Sequence, residues 1–129
     1  MELGFIGLGK MGLNMVTRLR KDNHRVVVFD RSTEQIKQAE SQGCVAASSL
    51  PDLIGKLAAP RTVWVMVPSG APTEETVQAV AALLQPGDTV IDGGNTRFHD
   101  DVRRAADLKH KQLHYIVVGT SGGIWGLKV

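Results

Sequence analysis

The sequence predicts an α/β fold in which helices cover both faces of a doubly wound parallel sheet. Short runs of apolar and β-branched residues alternate along the chain with segments whose apolar residues recur at helical spacing. The apolar runs are continuous, as in parallel strands that are buried on both faces. Because strands separated by helices pair in parallel through right-handed crossovers, the simplest strand order is 3-2-1-4-5-6.

Six strands alternate with five helices in this prediction. The strands are expected at residues 3–6, 25–30, 44–46, 62–67, 89–91 and 113–118. The first helix carries Met11, Met15 and Leu19 at helical spacing, and the others are expected at residues 33–41, 49–57, 72–84 and 97–108. Ser32 or Thr33 is expected to cap the second helix.

Composition sets the broad class of the protein. A chain of 129 residues with 43% hydrophobic and 22% charged residues is typical of one soluble globular domain. The net charge of +2 is scattered, so neither a nucleic acid nor a membrane is expected as a partner. Cys44 is the only cysteine, and His110 and His114 lack an evident third ligand, so neither a disulfide nor a metal site is expected. A cytoplasmic location is the default expectation.

A glycine motif joins the first predicted strand to the first predicted helix. Gly7 permits a tight turn, Gly9 lets the backbone approach a pyrophosphate, and Gly12 lets helix and strand pack closely. The helix N-terminus adds unpaired N–H groups and partial positive charge. With Asp30 ending the next strand, 23 positions after Gly7, this arrangement predicts a Rossmann dinucleotide-binding unit. The loop residues expected at the cofactor are Gly7, Leu8, Gly9, Lys10, Met11 and Gly12.

The residues at the end of the second strand bear on the choice of cofactor. The carboxylate of Asp30 would accept hydrogen bonds from ribose hydroxyls and repel the 2′-phosphate of NADP. Arg31 acts in the opposite direction, because a guanidinium can pair with that phosphate or stack on adenine. Arg31 is otherwise a solvated loop residue. The sequence therefore favours NAD and leaves NADP open.

Three later loops leave the carboxyl ends of predicted strands, where ligands bind such sheets. Residues 67–70 either lie along the nicotinamide half of a cofactor or form a plain strand-ending turn. Residues 92–96 are expected to expose backbone at two glycines and to place Asn95 at the rim of a pocket. Asn95 or Thr96 can also cap the next helix. Residues 119–123 carry N–H and hydroxyl donors suited to phosphate or carboxylate, or form a flexible tail.

Three segments resemble 6-phosphogluconate dehydrogenase, especially its shorter bacterial form. They are GFIGLGKMGLNM at residues 4–15, IDGGNT at residues 91–96 and GTSGGIWG at residues 119–126. The wider β-hydroxyacid dehydrogenase superfamily shares the first segment, whereas the Gly-Gly-Asn and Ser-Gly-Gly motifs favour the phosphogluconate branch. The motifs occur in order and span nearly the whole chain.

The resemblance implies an activity in the pentose phosphate pathway. Such enzymes oxidise the 3-hydroxyl of 6-phosphogluconate by hydride transfer to NAD(P), decarboxylate the intermediate and release ribulose 5-phosphate. By resemblance, the cofactor loops include Asp30, Arg31, Ser32, Val67, Pro68 and Ser69. Asn95 would contact both substrate and nicotinamide, and the substrate would be held by Ser121, Gly122 and Gly123. Many NADP-using members carry a neutral residue in place of Asp30, a departure that supports NAD.

The same resemblance assigns no catalytic residue to this chain. The family's catalytic lysine, its proton-donating glutamate and a His-Asn pair would follow Val129, and Lys128 does not match that lysine. The chain is therefore expected to be a cofactor domain, truncated before the catalytic segment and helical domain, that binds NAD(P) without turnover. The full-length enzyme is expected to be a homo-oligomer.

Two other hypotheses remain open at this point. One is the cofactor domain of another β-hydroxyacid dehydrogenase, such as 3-hydroxyisobutyrate dehydrogenase, which the shared first motif allows. The other is a non-catalytic dinucleotide-binding module, because the glycine motif by itself requires only cofactor binding.

Overall fold

The sheet has six parallel strands in the order β3-β2-β1-β4-β5-β6. The computed structural model describes residues 2–66, 71–93 and 106–117. The strands are β1 Glu2–Ile6, β2 Arg25–Phe29, β3 Val45–Ala46, β4 Thr62–Val65, β5 Thr89–Asp92 and β6 His114–Val117. The predicted doubly wound Rossmann order is confirmed.

The helices lie between the strands as the apolar periodicity predicts. They are α1 Lys10–Lys21, α2 Thr33–Ser41, α3 Leu50–Gly55 and α4 Ala71–Leu83, and residues 106–110 are also helical. The third helix is shorter than expected, because Ser49 is its N-cap and the chain leaves the helix at Lys56. The last helical segment ends in a turn at Gln112, which has a φ of 61°, so β6 begins one residue later than predicted.

Alternate residues of the strands enter two separate cores, as the pleat of a sheet requires. On one face, Phe5 and Val28 pack with Met15 and Val16 of α1 and Ala39 of α2. On the other face, strand residues pack against α3, α4 and the helical residues 106–110; the buried helix residues there are Leu53, Ile54, Val77, Val80, Ala81 and Leu108. Burial on both faces explains why the strand sequences are continuously apolar.

The strand register brings the first two strand ends together. Ile6, the last residue of β1, pairs with Phe29, the last residue of β2. Ile6 also pairs with Val65 at the end of β4, and Val65 pairs with Asp92 at the end of β5. The loops that follow these strands therefore leave from the same edge of the sheet, where parallel α/β sheets bind ligands.

Candidate functional site

The loop between β1 and α1 turns sharply at Gly7. Its φ is +96°, a backbone conformation that side chains other than glycine rarely adopt. The Gly7 N–H donates a 3.0 Å hydrogen bond to the Phe29 carbonyl, which ties the loop to the end of β2. The next residue, Leu8, is fully buried and packs in the core beneath α1. The loop is thus anchored to the sheet on its inner side.

Gly12 lets α1 approach this loop. A Cβ at Gly12 would lie 2.3 Å from the Gly7 carbonyl oxygen and 3.2 Å from a ring carbon of Phe5. Because real Cβ atoms do not come so close to backbone oxygen, any larger residue would force the helix away from the loop. The role predicted for Gly12, close packing of helix and strand, agrees with this contact.

The N-terminus of α1 has no side-chain cap among the described residues. Its N-cap residue is Gly9, and its first turn contains no acid. A Cβ at Gly9 would have no heavy atom of the described chain within 4 Å. Basic residues Arg18, Arg20 and Lys21 lie in the last turn, where they complement the negative end of the helix dipole. An uncapped helix N-terminus with free space beside it can bind an anion.

Asp30 joins the two loops at this edge of the sheet. Its Oδ2 accepts a 2.6 Å hydrogen bond from the Leu8 N–H, in the glycine loop. Its Oδ1 accepts a 2.8 Å hydrogen bond from the Ser32 N–H, at the start of α2. Each carboxylate oxygen has a second lone pair, so both remain able to accept a hydrogen bond from a ligand hydroxyl.

The neighbours of Asp30 differ from one sequence expectation. Arg31 is exposed beside the carboxylate, as a loop residue should be. Ser32 is the N-cap residue of α2, but its hydroxyl makes no capping hydrogen bond. The predicted N-cap position is therefore confirmed at Ser32, but without the side-chain hydrogen bond that such a cap usually makes. The local turn is instead closed by Asp30, whose carboxylate binds the Ser32 backbone in the manner of an Asx turn.

The end of β5 contains contacts that sequence reasoning missed. Asp92 is fully buried, and its Oδ2 accepts a 2.8 Å hydrogen bond from the Tyr115 hydroxyl on β6. A Cβ at Gly93 would lie 2.3 Å from Nε1 of Trp64, so this glycine admits the indole ring. An acidic residue that ends a buried strand was the available signal, but the identity of its partner depends on the strand pairing.

The structure brings together one part of the predicted site. Among the described residues, the glycine loop, Asp30, Arg31 and Ser32 lie at adjoining strand ends. Lys10 and Met11 form the start of α1, where Met11 is 40% exposed. The other predicted residues lie outside the described ranges: Val67, Pro68, Ser69, Asn95, Ser121, Gly122 and Gly123.

Other candidate groups do not form a site within the described ranges. Cys44 is buried just before β3, and desolvation by this burial raises the pKa of its thiol. His110 and His114 are both exposed. No group of three potential metal ligands occurs among residues 2–66, 71–93 and 106–117. No helix in that part of the chain is long and apolar enough to cross a membrane.

Comparison with known proteins identifies the family. Residues 2–128 match the family model described as the NAD binding domain of 6-phosphogluconate dehydrogenase. The NAD(+)-dependent, decarboxylating 6-phosphogluconate dehydrogenase of Haloferax volcanii is 39% identical over 129 residues, which cover 100% of this chain and 42% of that protein. The chain thus spans less than half the length of this relative.

Two solved structures share the fold. The 6-phosphogluconate dehydrogenase of Plasmodium falciparum, described with its cofactor NADP+ and its substrate 6-phosphogluconate, is 26% identical with a TM-score of 0.80. The match covers 89% of this chain and 26% of that one. The 3-hydroxyisobutyrate dehydrogenase of Mycobacterium tuberculosis has a TM-score of 0.82 at 24% identity, covering 94% and 42% of the two chains. At that identity the second likeness shows the fold alone.

Proposed function

The chain belongs to the family of NAD-binding domains of 6-phosphogluconate dehydrogenase, and on this premise we propose that it supplies the cofactor half of an enzyme that oxidises and decarboxylates 6-phosphogluconate. The observation that carries the proposal is the open N-terminus of α1. There a Cβ at the N-cap residue Gly9 would meet no heavy atom of the described residues within 4 Å, and no side chain of those residues caps the first-turn N–H groups.

The pyrophosphate of the dinucleotide would bind at this helix end. The backbone N–H groups at the start of α1 would donate to phosphate oxygens, and hydrogen bonds to charged acceptors are about twice as strong as neutral ones. The helix dipole would add roughly 0.3–1 kcal/mol, and more where water is excluded. No acid in the first turn opposes the anion. The site therefore fits the group that the family name implies.

Asp30 and Arg31 would face the adenosine ribose. Both oxygens of Asp30 keep a lone pair for the ribose hydroxyls, and its negative charge disfavours a 2′-phosphate. The relative from Haloferax volcanii is named as NAD(+)-dependent, whereas NADP+ is named as the cofactor of the Plasmodium falciparum enzyme, so relatives of this chain use both cofactors. We propose NAD for this chain because a carboxylate, not a neutral residue, stands at the end of β2.

The proposed substrate rests on the resemblance of residues 91–96 and 119–126 to motifs of 6-phosphogluconate dehydrogenase. Bound NAD would supply the acceptor for the hydride that leaves the substrate. Val67, Pro68 and Ser69 would line the nicotinamide side of the cofactor. Asn95 would contact both cofactor and substrate, and the loop containing Ser121, Gly122 and Gly123 would hold the phosphogluconate. The catalytic acid and base are proposed to lie outside this chain, and the enzyme is proposed to act in the cytosol as a homo-oligomer.

Calorimetric titration of the chain with NAD and NADP tests the cofactor proposal. We expect both to bind and NAD to bind more tightly. Tighter binding of NADP would contradict the role given to Asp30, and absence of binding by either cofactor would contradict the site. Arg31→Gln serves as the matched variant, because loss of NADP affinity alone would show that Arg31 reads the 2′-phosphate.

An activity assay tests the assignment of the chemistry. The chain, supplied with NAD and 6-phosphogluconate, is expected to form no NADH above the level of a mixture without substrate. General acid and base groups contribute about 10²- to 10⁴-fold each, and the chain is proposed to lack both. Robust NADH formation would show that the catalytic groups lie within these 129 residues.

A further inference from the structure

We infer that Asp30 is also a positioning residue, whose carboxylate holds the glycine loop in the shape that receives the pyrophosphate. The inference rests on the proposed function and deepens it. It follows from one juxtaposition. The carboxylate expected to bind the ribose accepts hydrogen bonds from the backbone N–H groups of Leu8 and Ser32, which lie in two different loops.

The bond to Leu8 is the one that matters for the loop. Leu8 lies between Gly7 and Gly9, and its N–H donates to Asp30 Oδ2 in a part-buried position. At 2.6 Å the contact is short for an N–H donor, as expected for a charged acceptor. It spans 22 residues of sequence, so it fixes the β1–α1 loop relative to the end of β2.

Besides the buried Leu8 side chain, three further contacts help to hold the loop, and one of these three uses a side-chain hydrogen bond. Gly7 donates its N–H to the Phe29 carbonyl, and the Gly7 carbonyl packs against Gly12. These two contacts are made by backbone and follow from the fold. The third is made by Asp30, so the charge that selects the ribose also shapes the pyrophosphate loop. Ribose recognition and pyrophosphate recognition are coupled through one carboxylate.

The coupling requires the two acceptor oxygens of a carboxylate, and an amide of the same shape does not provide them. An ionised carboxylate presents two acceptor oxygens, one for each N–H group. In Asp30→Asn, one of the two positions would carry an amide NH₂, which is a donor and cannot bind an N–H. Either the part-buried Leu8 N–H or the exposed Ser32 N–H would then lose its partner, and the loop that carries it would relax.

A substitution at Asp30 distinguishes a role in ribose binding alone from an added role in holding the glycine loop. If Asp30 acted only on the ribose, Asp30→Asn would weaken NAD binding and strengthen NADP binding. If Asp30 also holds the loop, the same change weakens both cofactors, because both carry the same pyrophosphate. A loss of affinity of about tenfold or more for each is expected. Cofactor preference would then have to be changed elsewhere, for example at Arg31.

The test compares Asp30→Asn with Asp22→Asn, a matched change at an exposed aspartate that ends α1. NAD and NADP affinities are measured by calorimetry, and amide hydrogen exchange is measured by NMR on the free proteins. We expect Asp30→Asn to lower both affinities and to speed exchange at Leu8 or Ser32, while Asp22→Asn changes neither. Stronger NADP binding, with exchange at both amides unchanged, would overturn the inference.

A measurement on the unmodified chain keeps the inference testable if Asp30→Asn does not fold. In the wild-type chain, the Leu8 and Ser32 amides should exchange more slowly than amides without a hydrogen-bond partner, because Asp30 accepts both. Exchange of the Leu8 amide at the rate of an unprotected amide would overturn the inference. Failure of the wild-type chain to bind either cofactor would instead overturn the proposed function, and the exchange measurement would still decide the role of Asp30 in the free loop.

Discussion

The N-termini of α1 and α3 show two opposite treatments of the same physical problem. Every helix begins with N–H groups that have no partner within the helix. At α3, Ser49 Oγ accepts the Asp52 N–H at 3.1 Å, and an acid lies in the first turn. At α1, Gly9 provides no side chain and the first turn contains no acid. A side chain therefore caps the N-terminus of α3, whereas among the described residues no side chain caps the N-terminus of α1, beside Asp30.

The carboxylates at these two helices differ in the same way. Asp52 accepts the Ser48 N–H at 2.8 Å and pairs with Lys56 at 3.1 Å, so its partners lie within four residues. Asp30 binds Leu8 in a different loop. Local bonds stabilise one turn of chain, whereas a bond between loops sets their relative position. The local bonds at α3 stabilise that helix end, whereas the contacts beside α1 support the proposal that its N-terminus binds a ligand.

The largest effect is expected from Gly12→Ala. The new Cβ would meet the Gly7 carbonyl oxygen at 2.3 Å, so helix and loop must separate. We expect a loss of about 1–3 kcal/mol in the free energy of unfolding, typical of overpacking, and at least roughly tenfold weaker NAD binding. Urea unfolding and calorimetry measure the two effects. Wild-type stability in this variant would show that the α1–loop contact is not tight.

Ser49→Ala is expected to affect stability alone. It removes the side-chain cap of α3, which costs about 1 kcal/mol of unfolding free energy. The NAD dissociation constant should stay at the wild-type value, because α3 packs on the face of the sheet opposite α1. A change in NAD affinity would contradict the division of roles between the two helix ends.

Met11→Glu should separate stability from binding at α1. Met11 is exposed in the first turn, where an acid interacts favourably with the helix dipole. We expect a gain of about 0.3–1 kcal/mol in unfolding free energy and weaker NAD binding, because the new charge repels the pyrophosphate. Thermal unfolding measures the expected gain in stability, and calorimetry measures the expected loss of NAD affinity. Unchanged or stronger NAD binding would contradict an anion site at this helix end.

The smallest effect is an acid dependence of stability outside the α1 site. A backbone hydrogen bond from Ser48, followed by the contact with Lys56, lowers the pKa of Asp52 below its ordinary 3.8. A group with a lowered folded pKa stabilises the fold above its unfolded pKa, and this contribution disappears as the pH falls through the folded value. Stability should therefore decrease below about pH 4, and less steeply in Asp52→Asn. If urea unfolding gave the same pH dependence of stability for the wild type and Asp52→Asn, the stabilising role of the Asp52 carboxylate would be contradicted.

The strand order and the glycine loop could be predicted from sequence because both depend on local pattern. Continuous apolar runs predicted the buried strands, and the spacing of Gly7, Gly9 and Gly12 predicted the turn into α1. Acceptance of the Leu8 N–H by Asp30 could not be predicted, because it depends on the pairing of Ile6 with Phe29.

Two further features required the folded structure for similar reasons. Propensity correctly placed the N-cap of α2 at Ser32, but it does not reveal that the Ser32 hydroxyl makes no capping bond while Asp30 accepts the Ser32 N–H. The contact of Gly93 with Trp64 joins the residue after β5 to the neighbouring strand β4, and spacing along the chain does not show which residues meet there. Sequence pattern therefore located the elements and the loop, and the contacts between elements set the details of the site.

The central claim, that the pyrophosphate occupies the open space at the N-terminus of α1, is tested most directly by Gly9→Ala. Its Cβ would have no heavy atom of the described chain within 4 Å, and the backbone angles of Gly9 (φ −64°, ψ −175°) are open to alanine. Gly55→Ala in α3, whose Cβ also enters open space, is the matched control. Calorimetry with NAD should show binding at least about tenfold weaker in Gly9→Ala, with unfolding free energy within about 1 kcal/mol of wild type. Wild-type NAD affinity in Gly9→Ala would contradict the account.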